Sequence, residues 1–211
     1  AKIDELKREQ RKKGADLIDL GVGDPDLPTP AHIVASLQRA ATDARFHQYP
    51  SYAGMLETRQ AIAHHYMERF GVSLDPATEA LVLIGSKEGI AHFPLAVIDP
   101  GDVVLVPDPG YPVYATGASF AGAEVKYVPL LRANGFLPDL AAIPESLARR
   151  AKLFWLNYPN NPTAALAPLS FYERAVAWAK TYGVILASDL AYSEMYYDEA
   201  DRPVSLLAVD G

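Results

Sequence analysis

Two polar clusters, each at the end of an apolar run, hold the residues best suited to chemistry. KLFWLN runs into NYPNNPT at 157–163, and GVILAS runs into SDLAYSE at 188–194. Neighbouring strands of an open parallel sheet deliver whatever follows them to one edge, which is where ligands of α/β proteins bind. Asn161, Asp189 and Tyr192 would then share a pocket floor. Asp189 directly follows a buried apolar run, and a carboxylate in such a low-dielectric place needs a cationic partner or hydrogen-bond donors to stay ionised. A protonated ring nitrogen of a bound heterocycle would serve, and Tyr192, three residues on, could aim its hydroxyl at a second polar atom of the same ring.

Other stretches carry residues of similar promise. GSKEG at 85–89 puts a glycine, the Ser86 hydroxyl and the Lys87 ammonium at a helix start. The free N–H groups and the positive end of the helix dipole suit a phosphate there. A tight strand-to-helix turn uses the same letters, and the GxxxxGK[ST] spacing of a P-loop is missing. VPDPGYPVY presents Tyr111 in a loop stiffened by prolines and Gly110, either to face a ligand or to cap the core. In GVGDPD, Gly21 and Gly23 let backbone amides approach a ligand or simply make a turn, while Asp24 and Pro25 end any regular element. HQYPSYAG, which contains Tyr49, reads from its residues as a surface loop. His47, His64, His65 and His92 are not a metal set, because the adjacent pair faces different sides of a helix and no HExxH spacing or carboxylate cluster accompanies them.

The elements that must position these residues follow from periodicity and punctuation. Residues 2–13 form a polar, helix-compatible lead-in, and Leu17 to Val22 a short extended run. Thr29 as N-cap and Pro30 at the first helical position open a helix to about Asp43. A second helix, over about 54–70, carries Leu56, Ala63, Tyr66, Met67 and Phe70 as a core-facing stripe. From Leu81 strands and helices alternate. Strands are expected at 81–84, 103–106, 124–128, 152–157 and 183–187, and helices at 88–97, 113–121, 139–148 and 170–181, the last with a Ser170–Glu173 capping box. Such alternation predicts an α/β fold of three αβα layers, a mostly parallel sheet covered on both faces with right-handed crossovers. Asp189 follows the fifth of these strands.

Composition narrows the class. At 211 residues the chain is long enough for one domain with a sizeable core, or for one domain and the start of another. Hydrophobic residues make up 50% and charged residues 21%, as in soluble globular proteins. A net charge of −7 offers no surface for nucleic acid, and the basic stretch Lys7 to Lys13 is interleaved with Glu9 and Gln10 like a solvated helix face. With no cysteine, disulfides and thiolate metal sites are excluded. No apolar run reaches the roughly 18 residues of a membrane span, and the charged N-terminus has no signal-peptide core, so the expected location is cytoplasmic, away from membranes.

Taken in order, GVGDPDLPTP, HQYPSYAG, LIGSKEGIAH, VPDPGYPVY, NYPNNPT and SDLAYSE resemble the class I/II aminotransferases, pyridoxal-phosphate enzymes of fold type I, and in particular their LL-diaminopimelate aminotransferase type. The resemblance runs from about Asp19 over nearly the whole chain. It implies the large domain of that fold, incomplete at the C-terminus, with residues 1–45 a lead-in segment and 46–211 part of the cofactor-binding domain. It also implies roles. Ser86 and Lys87 belong to the phosphate cup, Tyr111 stacks on the pyridine ring, Asn161 and Tyr192 hold the phenolic oxygen, and Asp189 holds the ring nitrogen. Tyr49 would reach across a homodimer interface to the partner's cofactor phosphate, and Gly23 would help hold the substrate carboxylate. The peptide before Pro162 is expected to be cis.

The reaction implied is transfer of an amino group from an amino acid, such as LL-diaminopimelate or an aspartate-like substrate, to a 2-oxo acid. The alternatives are a lyase or synthase on the same fold, or a non-catalytic or regulatory protein that keeps it. The family's Schiff-base lysine lies roughly thirty residues beyond the position of Asp189, so residues 1–211 alone are expected to be inactive. Lys87, Lys126, Lys152 and Lys180, the lysines beyond the lead-in, are not substitutes for it. In the family the strand at 81–84 joins the sheet through strands that come after that lysine. Without them it is expected to lack a neighbour, leaving residues 1–211 unstable or dependent on another chain. Ala164 stands where most relatives have glycine.

Overall fold

The computed structural model describes residues 2–19, 23 and 27–209, and the chain divides into two compact units, Ala1–Tyr49 and Pro50–Gly211. In the first unit, α1 (Lys2–Lys12) places Asp4 and Glu5 in its first turn and Arg11 and Lys12 in its last, the arrangement the helix dipole favours. Lys7 pairs with Asp19 at 2.8 Å. Helix α2 (Ala31–Ala41) starts one residue later than the sequence suggested. Pro30, extended at φ −53° and ψ 137°, takes the N-cap place in front of Ala31, and no side chain closes the first turn. The run expected over Leu17–Val22 is in no strand over its described part, 17–19, and Leu20–Val22 and Asp24–Asp26 lie outside the described residues.

The second unit is built on four parallel strands in the order β2-β1-β3-β4: β1 (Val103–Asp108), β2 (Glu124–Pro129), β3 (Ala151–Asn157) and β4 (Ile185–Asp189). Successive side chains of β1 and β3 point to opposite faces, as strand geometry requires. Val103, Leu105, Phe154 and Leu156 pack with Phe171, Tyr172, Ala175 and Ala179 of α7 (Leu169–Tyr182). Val104, Val106, Leu153 and Trp155 pack with Ile90 of α4 (Ser86–Val97) and with Tyr114 and Ala118 of α5 (Val113–Phe120). Helices on both faces give the expected three layers. Burying the central strands on both sides explains why they read as continuous apolar runs rather than alternating ones.

Local expectations failed where a partner or a boundary was missing. Residues 81–84 are apolar but lie outside the sheet. Ile84 is 93% exposed, and of their backbone N–H groups those of Val82 and Ile84 are bonded, to Ala53 O and to the Glu88 carboxylate. A strand exists only by pairing, and no described strand runs beside this one. The capping box does not form, because α7 begins at Leu169 behind Pro168 and Ser170 already lies inside the helix. The helix expected at 139–148 divides at Pro144 into a 3₁₀ turn, Leu140–Ala142, whose N–H groups are bonded by Asp139, and a single turn α6 (Glu145–Ala148). Helix α3 (Leu56–Phe70) buries none of its stripe fully, and Leu56 and Met67 are exposed.

Candidate functional site

At the carboxyl ends of the sheet Asn157 and Asp189 are register partners on β3 and β4. Asn157 is 1% exposed, so its carboxamide must find partners within the protein. Nδ2 donates to the Asp189 backbone carbonyl at 3.0 Å, and Oδ1 accepts from Asn161 N at 2.7 Å. One side chain thus ties together the two tips that carry Asn161 and Asp189. The Asn161–Pro162 peptide is cis, as are Asp108–Pro109 and Tyr158–Pro159.

The Asp189 carboxylate has a donor that sequence reasoning did not assign. Tyr114, completely buried in α5, donates from its hydroxyl to Asp189 Oδ2 at 2.8 Å. Trp155 stacks on the Tyr114 ring at 5.1 Å between centroids and 15° between planes. Burial, then the charge of Asp189 and the hydrogen bond to it, push the Tyr114 hydroxyl far above the ordinary tyrosine range, so it remains a donor. Among the described residues no cation pairs with Asp189, and its second oxygen accepts no hydrogen bond. The carboxylate is therefore oriented by a neutral donor and left able to take a cationic N–H.

Across the cavity lies the start of α4. Gly85 takes the N-cap place at φ 85°, in the left-handed region that favours glycine, and no side chain caps the turn behind it. Ser86 and Lys87 occupy the first turn. Lys87 Nζ sits 5.9 Å from the centroid of the Tyr111 ring, which in turn meets Tyr114 edge-on at 5.7 Å. Gly110 allows the loop before Tyr111 to fold this tightly, since a Cβ there would come within 2.4 Å of Pro107 O. Ser86, Lys87, Tyr111, Asn157, Asn161, Asp189 and Tyr192 line one cavity of about 180 Å³.

Six of the residues singled out from the sequence therefore meet in this cavity, whereas Gly23 and Tyr49 belong to the first unit. Tyr49 is fully exposed at the end of the first unit, and a Cβ on Gly23 would meet nothing within 4 Å. The residues missed were Asn157 and Tyr114. Each left a signal: a carboxamide closing an apolar strand, and a tyrosine three residues after Tyr111, on the same face of a helix start. Among the described residues no group of three or more histidines, aspartates and glutamates could hold a metal ion, and no helix is long and apolar enough to cross a membrane.

Known proteins share this architecture. The LL-diaminopimelate aminotransferase of Nitratidesulfovibrio vulgaris (strain DP4) is 58% identical over 211 residues, all of this chain and 54% of that protein. That of Aquifex aeolicus (strain VF5) is 56% identical over the same share of each. The chain thus spans about half the length of the curated relatives it matches. A probable N-succinyldiaminopimelate aminotransferase from Thermus thermophilus superposes with a TM-score of 0.91 at 40% identity, over 99% of this chain and 56% of that one. An aspartate aminotransferase mutant from the same species does so with 0.89 at 31%, over 98% and 53%. The family described as aminotransferase class I and II matches residues 15–210, and the chain belongs to it.

Proposed function

We propose that this chain supplies the cofactor-holding part of a pyridoxal-phosphate aminotransferase that moves an amino group from an amino acid to a 2-oxo acid, with LL-diaminopimelate or an aspartate-like molecule as donor. The observation that carries this reading is the single cavity in which Asp189, with an open carboxylate oxygen, faces Tyr111, Asn161, Tyr192 and the Ser86–Lys87 helix start. The donor set fits pyridoxal 5'-phosphate. Ser86, Lys87 and the uncapped N–H groups of α4 suit a dianionic phosphate. Tyr111 offers a ring face, Asn161 and Tyr192 offer donors for a phenolic oxygen, and Asp189 offers a counter-charge for a pyridinium N–H.

When bound, the cofactor supplies an electron sink for the carbanion left by loss of the α-proton. Asp189 keeps a proton on the ring nitrogen, because a carboxylate next to that nitrogen favours its charged form. Tyr114 holds Asp189 in position without competing for charge. Asn161 and Tyr192 stabilise negative charge on the phenolic oxygen. The transfer of the α-proton is assigned to no residue of this chain.

The family likeness also supports a cytoplasmic homodimer in which Tyr49 reaches the partner's phosphate site and Gly23 the substrate carboxylate, with residues 1–45 as lead-in to the large domain. The test is to incubate the full-length polypeptide with LL-diaminopimelate, pyridoxal 5'-phosphate and a 2-oxo acid. One amino acid formed per donor consumed is expected. Release of ammonia without acceptor turnover would mark a lyase, and cofactor binding with no turnover a regulatory protein.

A further inference from the structure

The turn that carries Tyr192, residues 190–197, has no regular secondary structure. Its own hydrogen bonds are short in span: Met195 N donates to Tyr192 O at 3.1 Å, and the Tyr196 hydroxyl to Glu199 at 3.3 Å. The long-range hold comes from Arg69, in the last turn of α3, whose side chain is only 8% exposed. Its Nε donates to Glu194 Oε1 at 2.8 Å, and its Nη2 donates to the backbone carbonyl of Ser193 at 3.0 Å. The guanidinium lies 4.8 Å from the centroid of Phe70 and 6.0 Å from that of Tyr196. Phe70 thus steadies the fork on its own helix, and the fork grips the turn at the two residues that follow Tyr192. A lysine could reach one of these acceptors but has no planar pair of donors to hold both.

We propose that Arg69 is a positioning residue for Tyr192: by fixing Ser193 and Glu194 it keeps the tyrosine on the wall of the cavity it shares with Asn161 and Asp189. The inference rests on the reading of that cavity as a cofactor site. Arg69 touches none of the cavity residues by hydrogen bond and acts through the backbone beyond Tyr192.

The test is a double-mutant cycle of Arg69→Ala and Tyr192→Phe in the full-length polypeptide. It has two readouts: the dissociation constant for pyridoxal 5'-phosphate, and hydrogen exchange of the amides of 190–197 without cofactor. Arg69→Ala is expected to speed that exchange about tenfold and to weaken binding about tenfold. In the Tyr192→Phe background it should cost less than about twofold in binding, because its effect passes through that hydroxyl. Arg69→Lys should fall between. Unchanged exchange, or binding losses that multiply across the cycle, overturns the clamp. If the unaltered protein does not bind the cofactor, the cofactor reading falls, and the exchange experiment still decides the clamp. Should Arg69→Ala fail to fold, Arg69→Lys and Glu194→Gln complete the same cycle.

Discussion

Beyond β3, residues 158–166 are held mostly by bonds among themselves, apart from the Tyr158 hydroxyl, which donates to Phe136 O, whereas beyond β4, residues 190–197 are held largely from elsewhere in the chain. In the first tip Asn160 is buried. Its carboxamide oxygen accepts from Thr163 N and Oγ1, its backbone N–H donates to Ala165 O, and its carbonyl accepts from Ala164 N. Each of these partners of Asn160 lies within five residues of it. In the second tip Asp189 depends on Tyr114 and Asn157, and the turn after it depends on Arg69. A locally bonded loop keeps its shape through short contacts that form together, while a loop tied by distant side chains is as firm as the tertiary packing that brings them. The cavity therefore has one wall prepared by adjacent sequence and one prepared by the whole fold.

The largest effect should come from the charge at the second tip. Asp189→Asn keeps the shape and removes the counter-charge, so binding of pyridoxal 5'-phosphate should weaken by about 3 kcal/mol, roughly a hundredfold, in an equilibrium titration. Asn157→Ala breaks the one side chain shared by both tips and strands the Asp189 carbonyl and the Asn161 N–H. Unfolding free energy should fall by about 2–3 kcal/mol, read as a lower urea midpoint at unchanged slope. Equal disturbance of both tips in hydrogen exchange would fit this view. A change confined to one tip would break the comparison.

Tyr114→Phe should cost about 1.5–2 kcal/mol by removing a hydrogen bond to a charged group, and it also alters the response to alkali. Burial raises the hydroxyls of Tyr114, Tyr158 and Tyr172 above the ordinary value, that of Tyr172 to about 12. The folded protein then keeps protons that the unfolded chain releases. This stabilisation is complete below about pH 10 and is lost as pH rises through the folded values, beginning over about pH 10–12. Urea midpoints measured across that range should decline, and Tyr114→Phe should decline less steeply. The smallest effect belongs to the first tip. Ala164 sits at φ 58°, so Ala164→Gly relieves left-handed strain and should raise stability by up to about 1 kcal/mol, seen as a higher Tm.

Much of this was readable from residue order. The strands ending at Asp108 and Asn157 announce themselves as apolar runs because both of their faces are covered, and Gly183 closes α7 at φ 70° where the sequence breaks its pattern. Asn161, Asp189 and Tyr192 stood out because polar groups placed after apolar strands need a purpose, Ser86 and Lys87 because they open a helix, and Tyr111 because prolines and Gly110 stiffen the loop that presents it. Legibility failed where one letter string suits two outcomes. Leu81 to Ile84 has strand composition and no strand, since pairing depends on a neighbour. The stripe on α3 has helical spacing and remains only partly covered, since spacing does not say what packs against it.

By itself, then, the sequence determined the four strands that form the sheet, most of the helices that cover it, that the sheet is parallel, and which polar residues lie at its carboxyl edge, because hydrophobic period and turn chemistry act over a few residues. Only the tertiary structure decided who holds Asp189 and who holds Tyr192. Tyr114 and Arg69 lie 75 and 124 positions before the groups they bind, Asp189 and the Ser193 carbonyl. No local pattern encodes contacts of that span, which arise when α5 and α3 dock and place a hydroxyl and a guanidinium beside acceptors that would otherwise go unmet.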